Sequence, residues 1–381
     1  MTILTKKSAK SAQKESLKTE WITLAVLLLI SAAVLGWAVN HFHKIAPAVE
    51  TQKTKDDTDD PAIWIHPTDP AKSLILGTDK GTNDGKPSGR LYVFDLSGNK
   101  LKNKTVKHLK RPNNVDVEYG FALGDTLIDI AVVTERYANS LRIFRLPDMT
   151  PVDNGGIEIF AGLPDSLRQP MGIGLYKRPA DGAIFAIVSR KSGPSGSYLW
   201  QYLLKEGGNG QITAEKVREF GEFGNRGSEI EAIAVDDELG YVYYSDEYFG
   251  VRKYYADPGQ PNSQQQLAIL ATEYFQQDRE GIAIYKTGEK TGYILVSDQA
   301  ANLFHIYKRE GEPENPNQHP LIKTVRLSAK ETDGCDAVSL ALNPQFPHGI
   351  FVAMSNYRKF QYYRWEDIAG KDLEIAGKNV Q

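Results

Sequence analysis

The chain has 381 residues, a formal net charge of −3 and a pI near 6.2. It carries no global basic excess, so nucleic acid is not an expected partner. The single cysteine, Cys335, excludes an intrachain disulfide framework, and 7 scattered histidines give a zinc site little support.

The first element in chain order is an apolar segment behind a basic tail. Lys6, Lys7, Lys10, Lys14 and Lys18 precede an uncharged stretch from Trp21 to Val39. About 20 apolar residues cross a bilayer as a helix, whereas the apolar region of a signal peptide usually has about 7–15. The lysine-rich side is expected to stay cytoplasmic, and Trp21 and Trp37 suit the two interfaces. Residues 1–20 are therefore expected as a cytoplasmic tail and 21–39 as a transmembrane or signal-anchor helix. Residues 40–54 are expected as a linker. The rest would be exported, either anchored in the inner membrane on its periplasmic side or secreted. Gly36-Trp37-Ala38 and Ala46-Pro47-Ala48 both resemble cleavage sites, so cleavage stays open. His41 and His43 flank Phe42 and read as interfacial or disordered.

From residue 55 the chain repeats. An apolar run ends in a small hydroxyl residue and then a polar one, with the hydroxyls at Thr78, Thr134, Ser189, Ser245, Ser297 and Ser355. Their separations are 56, 55, 56, 52 and 58 residues. Each phrase follows an alternating strand and precedes an aromatic-rich one, as in Arg90-Leu91-Tyr92-Val93-Phe94 and Asn302-Leu303-Phe304-His305-Ile306-Tyr307. A length-based prior allows two or three domains, but the unbroken period predicts one all-β domain over 55–370. The prediction is a six-bladed β-propeller preceded by one N-terminal transmembrane or signal helix and followed by a tail at 371–381.

Inner strands of a propeller stand side by side, so equivalent residues share one ring. The starts of the inner strands carry Asp59, Asp60, Asn113, Asn114, Glu229, Glu231, Asp278, Glu280, Asp333 and Asp336. Asp and Asn open many strands after turns, but carboxylates at equivalent positions of several blades repel one another unless cations neutralise them. All-oxygen donors of this kind suit calcium. Lys80, Arg136, Arg190 and Lys191 follow the hydroxyl phrases of the first three blades, while Asp246 and Glu247 follow that of the fourth. Cations on one side and carboxylates on the other could grip an anionic substrate, with guanidinium and ammonium groups on its phosphate oxygens. Gly81-Thr82-Asn83-Asp84-Gly85-Lys86 imitates a phosphate loop, but it has three residues between its glycines and Pro87 in place of the hydroxyl. It reads as a hairpin loop on the rim.

These residues carry a resemblance. Asp59-Asp60-Pro61-Ala62-Ile63-Trp64, Asn113-Asn114-Val115-Asp116, Glu231 followed by Asp236-Asp237-Glu238-Leu239-Gly240, Asp246-Glu247 and Asp278-Arg279-Glu280-Gly281 look like the β-propeller phytases. The likeness covers residues 55–370 or nearly so. It implies a calcium-dependent phosphatase that hydrolyses myo-inositol hexakisphosphate (phytate) with a metal-bridging water and no covalent phosphoenzyme. By the same resemblance Asp59, Glu231, Glu247, Asp278 and Glu280 would hold the catalytic calcium cluster. Asp60 with the Val115 carbonyl, and Asp333 with Asn356, would hold structural calcium ions. Lys80, Arg136 and Lys191 would bind substrate phosphate, and Lys80, Arg136, Glu231, Asp278 and Glu280 would carry catalysis. A monomer is expected.

Two departures stand out. Many relatives have a tyrosine where this chain has Met171, and a thioether is a poor calcium ligand. A second lysine beside the first is here Gly81, with Lys86 as a candidate replacement. Two other readings stay open: a lactonase-like calcium propeller, which needs one metal and no basic half-ring, and a non-catalytic binding propeller at the membrane.

Overall fold

The computed structural model describes residues 44–377 except 225–226. The lysine tail, the apolar segment 21–39 and His41 and His43 lie outside the described residues. Among the described residues no helix is long and apolar enough to cross a membrane. The described residues from 45 to 377 belong to one compact unit.

Six antiparallel sheets follow one another along the chain. Blade one runs from its inner to its outer strand as Thr58–Trp64, Leu74–Asp79, Gly89–Phe94 and Val106–Leu109. Blade two is Pro112–Leu123, Thr126–Glu135, Ser140–Leu146 and Thr150–Pro151, with Ile157–Glu158 also paired to its third strand. Blade three is Pro170–Lys177, Ile184–Arg190, Leu199–Glu206 and Ile212–Phe220. Blade four is Ile233–Asp236, Tyr241–Asp246, Gly250–Tyr255 and Ala268–Leu270. Blade five is Arg279–Lys286, Gly292–Asp298, Leu303–Lys308 and Leu321–Leu327, with a short fifth strand at Ile45 on its outer edge, where the Ile45 carbonyl accepts the Ser328 amide at 3.0 Å. Blade six takes Cys335–Val338, Ile350–Ser355 and Lys359–Arg364 from the end of the chain and its outermost strand, Val49–Glu50, from the beginning.

That last pairing closes the ring. Val49 stands opposite Tyr362 and Glu50 opposite Gln361, while the Ala48 and Thr51 amides donate to the carbonyls of Tyr362 (2.8 Å) and Phe360 (2.9 Å). Residues 48–51, expected within a linker, are therefore part of the propeller. The stretch after 370 also packs: Trp365 stacks on Tyr285 at 3.6 Å, its Nε1 donates to the Glu374 carbonyl, and Leu373 is buried in the same cluster.

Strand alternation makes the core. In the first inner strand Ile63 packs against blade six, while Ala62 and Trp64 pack against blade two. Each of the six apolar clusters spans two neighbouring blades in this way, so the sheets are held face to face by apolar burial.

The hydroxyl repeat has a mechanical cause. Thr78, Thr134 and Ser189 each accept the amide N–H of their own inner strand, from Asp60, Asn114 and Gly172 respectively. Thr134, Ser189, Ser245 and Ser297 each donate to a carbonyl of the next inner strand: Met171, Ile230, Arg279 and Thr332. A small side chain that both donates and accepts is needed there, and Ser and Thr supply it.

Candidate active site

Four of the six inner strands enter the channel through an irregular start. In blades one, two, three and five the register with the second strand slips there, between Thr58 and Pro61, Pro112 and Val115, Pro170 and Ile173, and Arg279 and Ile282. A β-bulge re-aims the side chains it contains. In the four slipped blades the first position of the slip is Asp59, Asn113, Met171 and Glu280, and Glu231 and Asp333 take the corresponding place in blades four and six. The second is Asp60, Asn114, Gly172, Ala232, Gly281 and Gly334. At Gly172 an added Cβ would stand 1.8 Å from the Glu231 carbonyl oxygen, so the close approach of blades three and four permits no side chain.

The first positions meet. Asn113 Nδ2 donates to Asp59 (3.2 Å) and to Glu231 (2.9 Å), joining carboxylates from blades one and four. Lys80 Nζ lies 2.8 Å from Asp59 and 3.5 Å from Asp333, and Gln299 Nε2 donates to Asp333. Glu229, Glu231 and Glu247 bring carboxylate oxygens within 4.8 Å of one another. Glu247 accepts the Glu229 amide at 2.9 Å, and Lys191 pairs with Glu229. Arg136 lies in the short turn after Glu135 and donates from Nη2 to the Met171 sulfur.

The electrostatics divide the ring. Burial pushes Glu280 well above the usual carboxylate range, and the charges of Glu247 and Glu231 reinforce it. Glu247 is pushed up to about 8 by burial and by Glu231 and Asp278, and Asp333 up to about 6, mainly by burial. Asp59 is raised by burial against the opposing charge of Lys80, and Asp278 by burial and Asp298. Glu231 goes the other way: burial acts to raise it, but Lys80, Arg136 and the Asn113 amide outweigh that and lower it. Burial lowers Arg136, and burial with repulsion from Arg136 lowers Lys191. Lys80 is held above its ordinary value because Asp59, Glu231 and Asp333 outweigh its burial.

The donor set fits a hard divalent cation. Glu280 Oε2 and Asp278 Oδ1 are buried with no hydrogen-bond partner among the described residues. A buried carboxylate oxygen without a partner is costly, and calcium is bound by oxygens of this kind. Asp59, Glu231, Glu247, Asp278 and Glu280 are the residues that could hold it, with Glu229 beside them.

The other assigned residues lie apart from this cluster. Asp60 accepts the amide N–H of Val115 at 3.1 Å, so these two residues meet through a donor rather than through the Val115 carbonyl. They line a channel cavity of about 170 Å³ to which all six inner strands contribute. Asp333 belongs to the ring, whereas Asn356 is exposed and donates to Glu331 at 2.8 Å. Asp336, expected on the ring, lines the channel below it and accepts the Ile63 amide at 2.8 Å.

Both departures have local explanations. Met171 is fully buried beneath Arg136. Gly81 has φ +69°, and a Cβ there would meet Ser88 and Gly89 within 2.7 Å, so the loop closes where a lysine would need room. Lys86 pairs at 3.0 Å with Asp84 on an exposed loop and does not stand in for it. Asn113 and Glu229 stand at strand starts legible in the repeat, and only their contacts with Asp59, Glu231 and Lys191 give them a part in the site. The Glu229-x-Glu231 spacing was the available signal.

A family model described as Phytase matches residues 17–369. A 3-phytase of Bacillus subtilis (strain 168) is 30% identical over 376 residues, spanning 92% of this chain and 93% of that protein.

Proposed function

The chain belongs to the phytase family, and from that premise we propose that its channel mouth hydrolyses phytate in a calcium-dependent reaction. It is a phosphoric monoester hydrolase of the 3-phytase kind. The observation that carries the calcium reading is the divided ring. Buried oxygens of Glu280 and Asp278 have no partner among the described residues, whereas Lys80 is paired with Asp59 and Asp333, Lys191 with Glu229, and Arg136 stands near Lys191.

Each part has a task. Arg136, seated on Met171, presents its guanidinium to phosphate oxygens, and Lys80 and Lys191 add point charges. Asn113 fixes the orientation of Asp59 and Glu231 by donating to both. Asp59, Glu231, Glu247, Asp278 and Glu280 would hold calcium, which when bound polarises phosphoryl oxygens and lowers the pKa of coordinated water. Water adds to phosphorus as the P–O ester bond breaks, and the departing inositol oxygen takes up a proton. No histidine stands at any of the six first ring positions, and the Cys335 thiol is buried below the ring with its pKa pushed well up by that burial. Direct attack by water therefore fits better than a covalent phosphoenzyme. Structural calcium at Asp60 with Val115, and near Asp333 and Asn356, belongs to the same proposal. So does a monomer exported by the segment 21–39, which remains as a membrane anchor or is cleaved.

The test is phosphate release from phytate with calcium and then with excess chelator. Activity that disappears in chelator and returns with calcium supports the reading, and full activity in chelator overturns it. Arg136→Ala should raise KM about tenfold or more at an unchanged calcium requirement. For topology, a reporter fused after Gln381 should be active only outside the cytoplasm.

A further inference from the structure

Glu229 stands between the two halves of the site. Its carboxylate pairs with the Lys191 ammonium. Its ligand oxygen also lies within 4.8 Å of those of Glu231 and Glu247. The segment that carries it is fixed to Glu247 twice. The Glu229 amide donates to the Glu247 carboxylate at 2.9 Å, and the Glu247 amide donates to the Glu229 carbonyl at 3.3 Å. Glu280, 6% exposed, keeps Oε2 without a partner among the described residues, and a buried carboxylate oxygen left so is a demand for positive charge. Lys191 meets part of that demand from outside.

We propose that Glu229 is a shared partner, claimed either by Lys191 or by a cation at Glu229, Glu231 and Glu247, so that filling the cation site releases Lys191 to a substrate phosphate. The two claims compete for one carboxylate. A cation that draws Glu229 toward Glu231 and Glu247 leaves the ammonium without its carboxylate, beside Arg136 and at the substrate side of the mouth. Phosphate oxygens then become its best partner. Linkage requires the effect in both directions: calcium strengthens phosphate binding, and phosphate strengthens calcium binding by the same factor. This inference rests on the calcium-dependent reading above and adds to it one residue and one coupling.

The test is a double-mutant cycle on the full-length protein, using Glu229→Gln, Lys191→Met and the double variant. Calcium alone and inorganic phosphate alone are titrated calorimetrically, and phosphate is titrated again in saturating calcium. Wild-type protein should bind phosphate about fivefold or more tightly once calcium is present. Glu229→Gln should bind phosphate more tightly than wild type in chelator and lose most of the calcium-induced gain. Lys191→Met should bind calcium more tightly than wild type, and that gain should vanish in the Glu229→Gln background. Disappearance in the double variant separates direct competition from the general field of a nearby ammonium, which would act in both backgrounds. Equal gains in both backgrounds, or unchanged phosphate affinity of Glu229→Gln in chelator, overturn the coupling and leave the calcium reading standing. Absence of calcium binding by the wild-type protein overturns both.

Discussion

Two sets of carboxylates sit on the inner strands of different blades or at their starts, one in the channel and one at its mouth, and they do opposite work. Asp116 and Asp336, in the channel, have both oxygens engaged by the main chain. Asp116 accepts the amides of Val117 and Leu175, each at 2.7 Å, and Asp336 those of Ala337 (2.7 Å) and Ile63 (2.8 Å). In each case one of the two amides belongs to the next blade around the ring. Glu280 and Asp278, at the mouth, each keep a buried oxygen without a partner among the described residues. The inner edge of every propeller sheet exposes main-chain donors that need acceptors. The channel carboxylates answer that need and tie blade six to one and blade two to three. The partnerless oxygens of Glu280 and Asp278 answer no such need among the described residues, which leaves them available to the proposed cation.

The contrast is broken or sharpened by substituting one member of each set. Glu280→Gln removes a mouth carboxylate and should lower kcat for phytate about a hundredfold or more, as loss of a transition-state stabiliser does. Its thermal stability in chelator should be equal to wild type or higher, because like-charge repulsion from Glu247 and Glu231 is relieved. Comparable kcat values for the two proteins would merge the two sets. Asp336→Ala should do the reverse. It strips the acceptor from the Ile63 amide and should cost about 1–3 kcal/mol in denaturant unfolding, nearer the lower figure where channel water replaces the carboxylate. The folded fraction should keep its kcat within about twofold.

A smaller effect concerns pH. Glu247 at about 8, Asp333 at about 6 and the raised Glu280 all bind protons more tightly in the folded, metal-free protein than unfolded carboxylates do. Their contribution to stability is therefore full at low pH, below the unfolded values, and is lost as pH rises through the folded ones. In chelator the melting temperature should fall between about pH 5 and pH 8, and calcium should restore more of it at pH 8 than at pH 5. A melting temperature in chelator that rises over this window would contradict the assigned crowding.

Much of this was legible in the sequence, for reasons the structure makes plain. The six hydroxyls could be counted because each clamps its own blade or the next through a bond that few other side chains can make. The ring could be placed because Asp59, Glu231, Glu280 and Asp333 each open the strand that precedes a hydroxyl phrase. The closure by Val49–Glu50 was hidden, since two residues show no period and their partners, Gln361 and Tyr362, lie at the far end of the chain. Asp333 and Asp336 look alike in a one-dimensional pattern, which offers both to the ring. Only the engaged oxygens tell them apart. Met171 looked like a lost ligand, whereas its contact with Arg136 depends on two blades meeting.

The central claim is that the partnerless oxygens at the channel mouth hold calcium. The most direct measurement is equilibrium dialysis of wild-type protein and Glu280→Gln against labelled calcium across a range of free concentrations. The account predicts that Glu280→Gln binds at least one ion fewer, or needs about tenfold more free calcium to reach the same occupancy. Superimposable binding curves for the two proteins, or a wild type that takes up no calcium, would contradict it.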